Sequence, residues 1–204
     1  MRGRFITFEG SEGSGKSTQS RALYNYLKSR GNKVIYLREP GGTKVSEKIR
    51  KMLLDGSNHR MTASCEMLLY MASRAQVVEE VIKPALVSGS HVICDRFLDS
   101  TVAYQGFGLG MNIALIRYLG DFVSAGVKPD LTIFLDLPVE KGLRHRRRSY
   151  DRIESRPLAY HRRVRNGYLT MARREPRRFK VVRVAEDKSV TQNRIRELVI
   201  GYVF

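Results

Sequence analysis

The run Gly10-Ser11-Glu12-Gly13-Ser14-Gly15-Lys16-Ser17 fits G-x-x-x-x-G-K-[ST] without a gap. It lies directly after the apolar stretch Phe5-Ile6-Thr7-Phe8 and before a helical pattern from Ser17 to Arg30. A strand, a glycine loop and a helix in that order leave few architectures open. Successive backbone N–H groups of such a loop converge on one anion, which needs positive φ or close backbone approach at several positions and therefore glycine. The anion then sits on a helix N-terminus. The spacing assigns Gly10, Ser11, Glu12, Gly13, Ser14, Gly15, Lys16, Ser17 and Thr18 to the phosphates of a nucleoside triphosphate. Lys16 would reach the β and γ phosphates, and the Ser17 hydroxyl would ligate Mg²⁺.

Apolar runs then alternate with helical patterns. Val34 to Leu37, His91 to Cys94, Leu131 to Asp136 and Phe179 to Val184 read as four further strands. Helices are expected over about 45–54, 62–82, 113–124, 160–174 and 190–203, with Pro84 restricting the second of these and Pro138 opening one before the arginine-rich stretch. This order implies an α/β fold with a five-stranded parallel sheet flanked by helices. Its ligands would bind beyond the carboxyl ends of the strands. Charge gathers at those ends: Glu9, Arg38-Glu39 and Asp95-Arg96. Asp95 is placed to hold Mg²⁺ as a Walker-B-type carboxylate, with Arg96 beside it for a phosphate; an ion pair between the two is the plainer alternative. Tyr70 and Arg74, four apart, share a helix face. They suit a nucleobase by stacking and edge hydrogen bonds, or else Tyr70 is core and Arg74 solvated.

Length bounds the chain to one domain over 1–204. The N-terminal apolar run is too short for a signal peptide and no stretch of eighteen apolar residues occurs, so a soluble, cytoplasmic protein without a membrane partner is expected. Cys65 and Cys94 stand in apolar contexts without metal-ligand spacing, which predicts two buried thiols in a reducing compartment. The net charge of +17 is uneven: residues 141–183 hold 16 Lys/Arg against 3 Asp/Glu. Such a segment can close over a polyanionic small molecule or follow a nucleic-acid backbone, and charge by itself does not separate these.

Taken together the motifs resemble thymidylate kinases of the bacterial type, over nearly the whole chain. Phe8-Glu9-Gly10 through Thr18 is similar to the family's glycine loop, Arg38-Glu39-Pro40-Gly41-Gly42-Thr43 to its REPGGT turn, and Asp95-Arg96 with Ala103-Tyr104-Gln105-Gly106 to its DRxxxSxxAYQG stretch. Residues 129–136, Asp151-Arg152-Ile153-Glu154 and 163–168 match its PDLTIYLD, DRIE and RVRxGY segments. The resemblance implies a three-layer P-loop nucleoside monophosphate kinase fold with a short lid at about 144–157, and transfer of the ATP γ-phosphoryl group to dTMP. It implies ATP·Mg²⁺ as donor, no nucleic-acid partner and a homodimer.

Carried over by position, the resemblance gives Glu12 the deoxyribose 3′-hydroxyl, Arg50 and Arg96 the acceptor phosphate, and Tyr70 and Arg74 the thymine ring. Thr101 and Gln105 face the base edge, and Tyr104 lies under the sugar. Glu39 and Ser100 belong to the same acceptor site. Families of this type lack an arginine in the glycine loop and supply it from the lid. Gly13 and the arginine-rich lid fit that pattern, with Arg152 as first choice for the transition-state cation and Arg148 as second. Together with Lys16, Arg96 and Glu12 these complete the expected catalytic set. Departures are Tyr70 for the usual phenylalanine, and Ser73 and Val77 where an acid and a histidine are frequent.

Overall fold

A computed structural model describes residues 2–144 and 151–203. The strands β1 (Phe5–Glu9), β2 (Val34–Arg38), β3 (His91–Asp95), β4 (Leu131–Asp136) and β5 (Phe179–Arg183) form one sheet in the order β2-β3-β1-β4-β5, every neighbouring pair parallel. The expected five-stranded parallel sheet is therefore found. β1 lies at its centre, between β3 and β4, so the loop leaving β1 emerges where the chain changes direction across the sheet.

Period-two alternation along each strand divides the core into two layers. Ile6 and Phe8 of β1, with Ile93, Ile133, Leu135 and Val182, meet Leu23 and Leu27 of α1 (Lys16–Ser29) and Ile195 and Val199 of α9 (Lys188–Val203). Across the sheet, Phe5, Val92 and Cys94 pack on Val77, Val78, Ile82 and Leu86, while Phe134 and Phe179 pack on Tyr168 and Met171 of α8 (Leu158–Arg174). The rings of Phe134 and Tyr168 stack at 4.9 Å. Within this core the Thr7 and Thr132 hydroxyls share a hydrogen bond of 2.9 Å between adjacent strands.

Between the strands run α2 (Lys44–Leu54), α3 (Ala63–Val77), α4 (Lys83–Val87), α5 (Leu98–Thr101), α6 (Ile113–Val123) and α7 (Val139–Arg144). Two expectations need correction. Pro84 does not end the helix begun at Ala63: a π-helical turn over Val78–Ile82 resets the register, so Pro84 falls in the first turn of α4, where its missing N–H costs nothing. Cys65 is exposed rather than buried, because it sits in the first turn of α3 on the side away from the sheet; Cys94 is buried as expected. A second π-helical turn, Val102–Gly108, follows α5 and carries the Ala103-Tyr104-Gln105-Gly106 segment into the interior.

Candidate active site

The glycine loop joins β1 to α1 and takes the positive φ values its composition requires, 70° at Gly13 and 84° at Gly15. Lys16, the first residue of α1, is buried and donates from Nζ to the Ser11 carbonyl at 2.8 Å, so its ammonium lies across the loop mouth. Burial, and then the nearby Arg96 charge, bring its pKa down to about 8, against the pull of Glu12, Asp95 and Glu9. Ser17 donates its hydroxyl hydrogen to Asp95 Oδ2. This contact follows from the sheet, since Asp95 ends β3 in register with Phe8 of β1. Two adjoining oxygen donors at the floor of a phosphate loop fit a hard divalent cation. Among the described residues no group of three or more His, Cys, Asp or Glu could hold a metal, so phosphate and water oxygens would complete the coordination.

Beside the loop lies a cavity of about 530 Å³. Residues from distant parts of the chain line it: Glu12, Gly13, Gly15, Lys16, Ser17 and Thr18 of the loop, Glu39, Arg50, Tyr70, Arg74, Asp95, Arg96, Ser100, Thr101, Tyr104 and Gln105. Every residue expected at the acceptor site thus faces one space. Gly10, Ser11 and Ser14 form the loop's inner side instead; the Gly10 carbonyl accepts from Arg96 Nη1 at 3.2 Å, and Ser11 and Ser14 are buried.

Arg96 is the central cation. Its backbone adopts φ 75°, a left-handed conformation rare outside glycine, which turns its guanidinium back towards the loop. From there it reaches Glu12 Oε1 at 2.7 Å, the Tyr104 hydroxyl at 3.0 Å and Ser100 Oγ at 3.2 Å. Tyr104 donates to the same Glu12 oxygen at 2.6 Å. Burial tends to raise the Glu12 pKa, but Arg96, Lys16 and the Tyr104 hydrogen bond outweigh it and hold the carboxyl at about 2. Behind this pair, Glu9 accepts from the Phe97 backbone N–H, Ser100 and Tyr168. Burial and the Asp99 carboxylate push Glu9 up to about 7, partly offset by Ser100, Arg96 and Tyr168.

Arg74 is neither solvated nor free. Its side chain is 1% exposed and pairs with Glu39 at 2.8 Å, while Nη2 donates to Thr101 Oγ1 at 3.1 Å. Tyr70, one turn earlier on the same face of α3, lines the cavity. Arg50 donates to the Pro40 carbonyl at 3.1 Å, at the rim.

The lid arginines fall less simply. Arg148 lies outside the described residues. Arg152 does not line the cavity, although its neighbours Asp151 and Ile153 do. Its Nε donates to the Leu53 carbonyl at 3.0 Å and its Nη2 pairs with Glu66 Oε2 at 2.6 Å, so in this arrangement it grips α2 and α3. Glu66 was not among the expected site residues, nor was Arg156, which meets the same Glu66 oxygen at 2.6 Å. The signal existed: Glu66 sits within an apolar run and stands four residues before Tyr70 and eight before Arg74, on the face that lines the cavity. Leu54 and Phe97 also line the cavity without having been singled out, as does Arg38, which was expected only as a strand-end charge and part of the REPGGT turn.

The loop tip packs on α7 through backbone alone. A Cβ on Gly13 would stand 1.9 Å from the Gly142 carbonyl oxygen, and a Cβ on Gly142 would stand 2.3 Å from that of Glu12.

Comparison with known proteins agrees with this geometry. The family model described as thymidylate kinase matches residues 8–195. The thymidylate kinase of Geotalea uraniireducens (strain Rf4) is 45% identical over 210 residues, covering 98% of this chain and 97% of the relative. That of Halothermothrix orenii is 54% identical over 185 residues, covering 88% and 87%. The crystal structure of thymidylate kinase from Ehrlichia chaffeensis superposes with a TM-score of 0.78 at 34% identity, covering 98% of this chain and 99% of the other.

Proposed function

Since the chain belongs to the thymidylate kinase family, we propose a residue-level account of how it moves the γ-phosphoryl group of ATP to dTMP. The glycine loop and Lys16 hold the donor phosphates, with Ser17 and Asp95 as the protein ligands of Mg²⁺. The ion, when bound, neutralises charge between the β and γ phosphates. The acceptor's phosphate is gripped by Arg96 and Arg50, its deoxyribose by Glu12 over the ring of Tyr104, and its base by Tyr70, Arg74, Thr101 and Gln105. Glu39 fixes Arg74, and Ser100 fixes Arg96. An oxygen of the dTMP phosphate forms the new bond to the γ phosphorus as the bridging bond to ADP breaks, in line and without a covalent enzyme intermediate.

Charge spreading over the moving group meets Lys16, Arg96 and a lid arginine. Arg152 takes that role by exchanging Glu66 for a phosphoryl oxygen when ATP is bound, with Arg148 as the alternative. The observation that carries the reading is the Arg96–Glu12–Tyr104 cluster, an arginine, a carboxylate and a phenol facing the space beside the phosphate loop.

The test is ADP release from ATP·Mg²⁺ with dTMP, dUMP, ribosyl-TMP, dCMP and AMP as acceptors at fixed ionic strength. Strong turnover with dTMP and weaker turnover with dUMP is expected. Silence with every acceptor, together with DNA-stimulated hydrolysis, would transfer the function to the basic segment.

We further propose a cytoplasmic, single-domain enzyme with a lid at about 144–157 that works as a homodimer. α3 and α6 pack together and leave Leu68, Leu115, Tyr118 and Phe122 exposed, the last at 78%. Residues 115, 118 and 122 share one helical face. Sedimentation should give twice the monomer mass, and Phe122→Arg should reduce it to one.

A further inference from the structure

Glu66 does not touch the space where substrate would lie, yet it is buried and holds three side chains that belong to two different tasks. Its Oε1 accepts from Gln105 Nε2 at 2.8 Å. Its Oε2 pairs with Arg152 and with Arg156, each at 2.6 Å. Gln105 lines the acceptor cavity; Arg152 and Arg156 belong to the strap over residues 151–157 that closes one side of it. With two guanidinium groups on one buried oxygen, removing the carboxylate would leave both without this partner.

The contact with Gln105 fixes a choice the amide could otherwise make either way. A primary amide offers two donors from nitrogen and an acceptor from oxygen. With one Nε2 hydrogen directed to a buried carboxylate, the amide cannot flip without turning its oxygen on that carboxylate, so its carbonyl oxygen stays on the side away from Glu66 and can serve the base edge. An acceptor there suits a pyrimidine whose N3 carries hydrogen, as in thymine and uracil, and opposes cytosine, whose N3 is itself an acceptor.

The other oxygen fixes the strap. Arg156 also donates to the Tyr160 hydroxyl at 2.6 Å and lies over that ring at 4.6 Å, and Tyr160 stands edge to face with Tyr104 at 6.2 Å. Arg152 is tied through its Nε and its backbone N–H to the carbonyls of Leu53 and Leu54 at the end of α2, the helix that carries Arg50. The strap is therefore stapled to both helices of the acceptor side, and one staple is shared with the base-reading amide.

We propose that Glu66 is a positioning residue for phosphoryl transfer: one carboxylate sets the orientation of the Gln105 amide and docks the lid strap, so that base selection and lid docking depend on each other. This rests on the dTMP kinase reading of the site.

The test compares the parent enzyme with Glu66→Gln in two readouts. One is the ratio of kcat/KM for dTMP to that for dCMP; the other is hydrogen exchange across residues 151–157 without nucleotide. A glutamine keeps the shape but can place a donor against Gln105 and the guanidinium groups. The ratio should fall at least about fivefold and exchange in the strap should accelerate by a similar factor, within the usual range of intersite coupling. If neither moves, or only one does, the shared role of Glu66 is overturned. If Glu66→Gln does not fold, Arg156→Met removes one partner at the rim and leaves the carboxylate. It should loosen the strap and lower the dTMP-to-dCMP ratio at least about twofold, and an unchanged ratio overturns the proposal. A parent enzyme inactive with dTMP would instead refute the functional reading, and the exchange readout would still judge the staple.

Discussion

Arg96 meets Glu12 at 2.7 Å from a backbone position that only a left-handed residue can occupy, so the cation expected on the acceptor phosphate and the carboxylate expected on its sugar are set against each other before substrate arrives. On the proposed reading, binding divides this pair between two groups of one ligand. Glu12→Ala should therefore raise the KM for dTMP about 10- to 100-fold, the loss of a hydrogen bond to a charged group, while the KM for ATP changes less. Steady-state kinetics with each substrate varied in turn checks this; a larger effect on ATP would detach Glu12 from the sugar.

Lys16 yields a pH prediction. With its pKa brought down to about 8 by burial and by Arg96, the free enzyme loses the ammonium as pH rises past that value. kcat/KM for ATP, which reports the free enzyme, should fall above about pH 8. kcat should stay level further into alkali, because bound phosphate favours the charged form. A pH profile of both parameters decides it.

Glu9 works on stability in the opposite direction from Glu12. Its carboxyl is raised from 4.5 to about 7, so across that interval the folded chain keeps a proton that the unfolded chain has released. The Glu9 contribution is fully present below the lower value and is lost as pH rises to the upper one. Glu12, held at about 2, contributes above its ordinary value and loses its contribution as pH falls from 4.5 towards 2. Urea unfolding at about pH 5, 6 and 8 should show a Glu9→Gln variant with a flatter decline over that range than the parent.

The Arg74–Glu39 pair is almost wholly out of solvent. Arg74→Met leaves a buried carboxylate without its cation and should cost about 3 to 5 kcal/mol of unfolding free energy. Glu39→Gln with Arg74→Met should recover part of that loss. Denaturant unfolding of Arg74→Met, Glu39→Gln alone and the double variant measures both; additivity would show that the pair is not coupled.

Much of this was legible in the residues because local rules and tertiary outcome coincide there. The glycine loop declares its own conformation, and alternating apolar runs separated by helical patterns admit little besides a parallel sheet. The residues expected at the acceptor site line one cavity: Glu39 and Arg96 directly follow strands, where backbone geometry places them, whereas Arg50, Tyr70 and Arg74 lie inside helices and were expected there from the resemblance. The misses have physical causes. Propensity marks Pro84 as a stop, and only the π-helical turn before it, a response to packing, moves it to a harmless position. Cys65 looks buried by its neighbours' composition, whereas the face of α3 decides its exposure. Glu66 was passed over by type: an acid in a helix reads as surface despite its apolar neighbours, and its burial becomes sensible when Arg152 and Arg156 fold back onto it from far along the chain. Arg152, expected over the phosphates, is held by that same acid.

The backbone contact between Gly13 and Gly142 leaves no room for a side chain at the tip of the glycine loop. A side chain introduced at the loop tip would meet the Gly142 carbonyl oxygen, and one introduced at Gly142 would meet that of Glu12. Placing an arginine at the loop tip therefore takes more than one substitution: α7 has to withdraw first. Two residues with no side chain thus keep the loop tip bare, and a designer wishing to place a side chain there would begin by moving a helix.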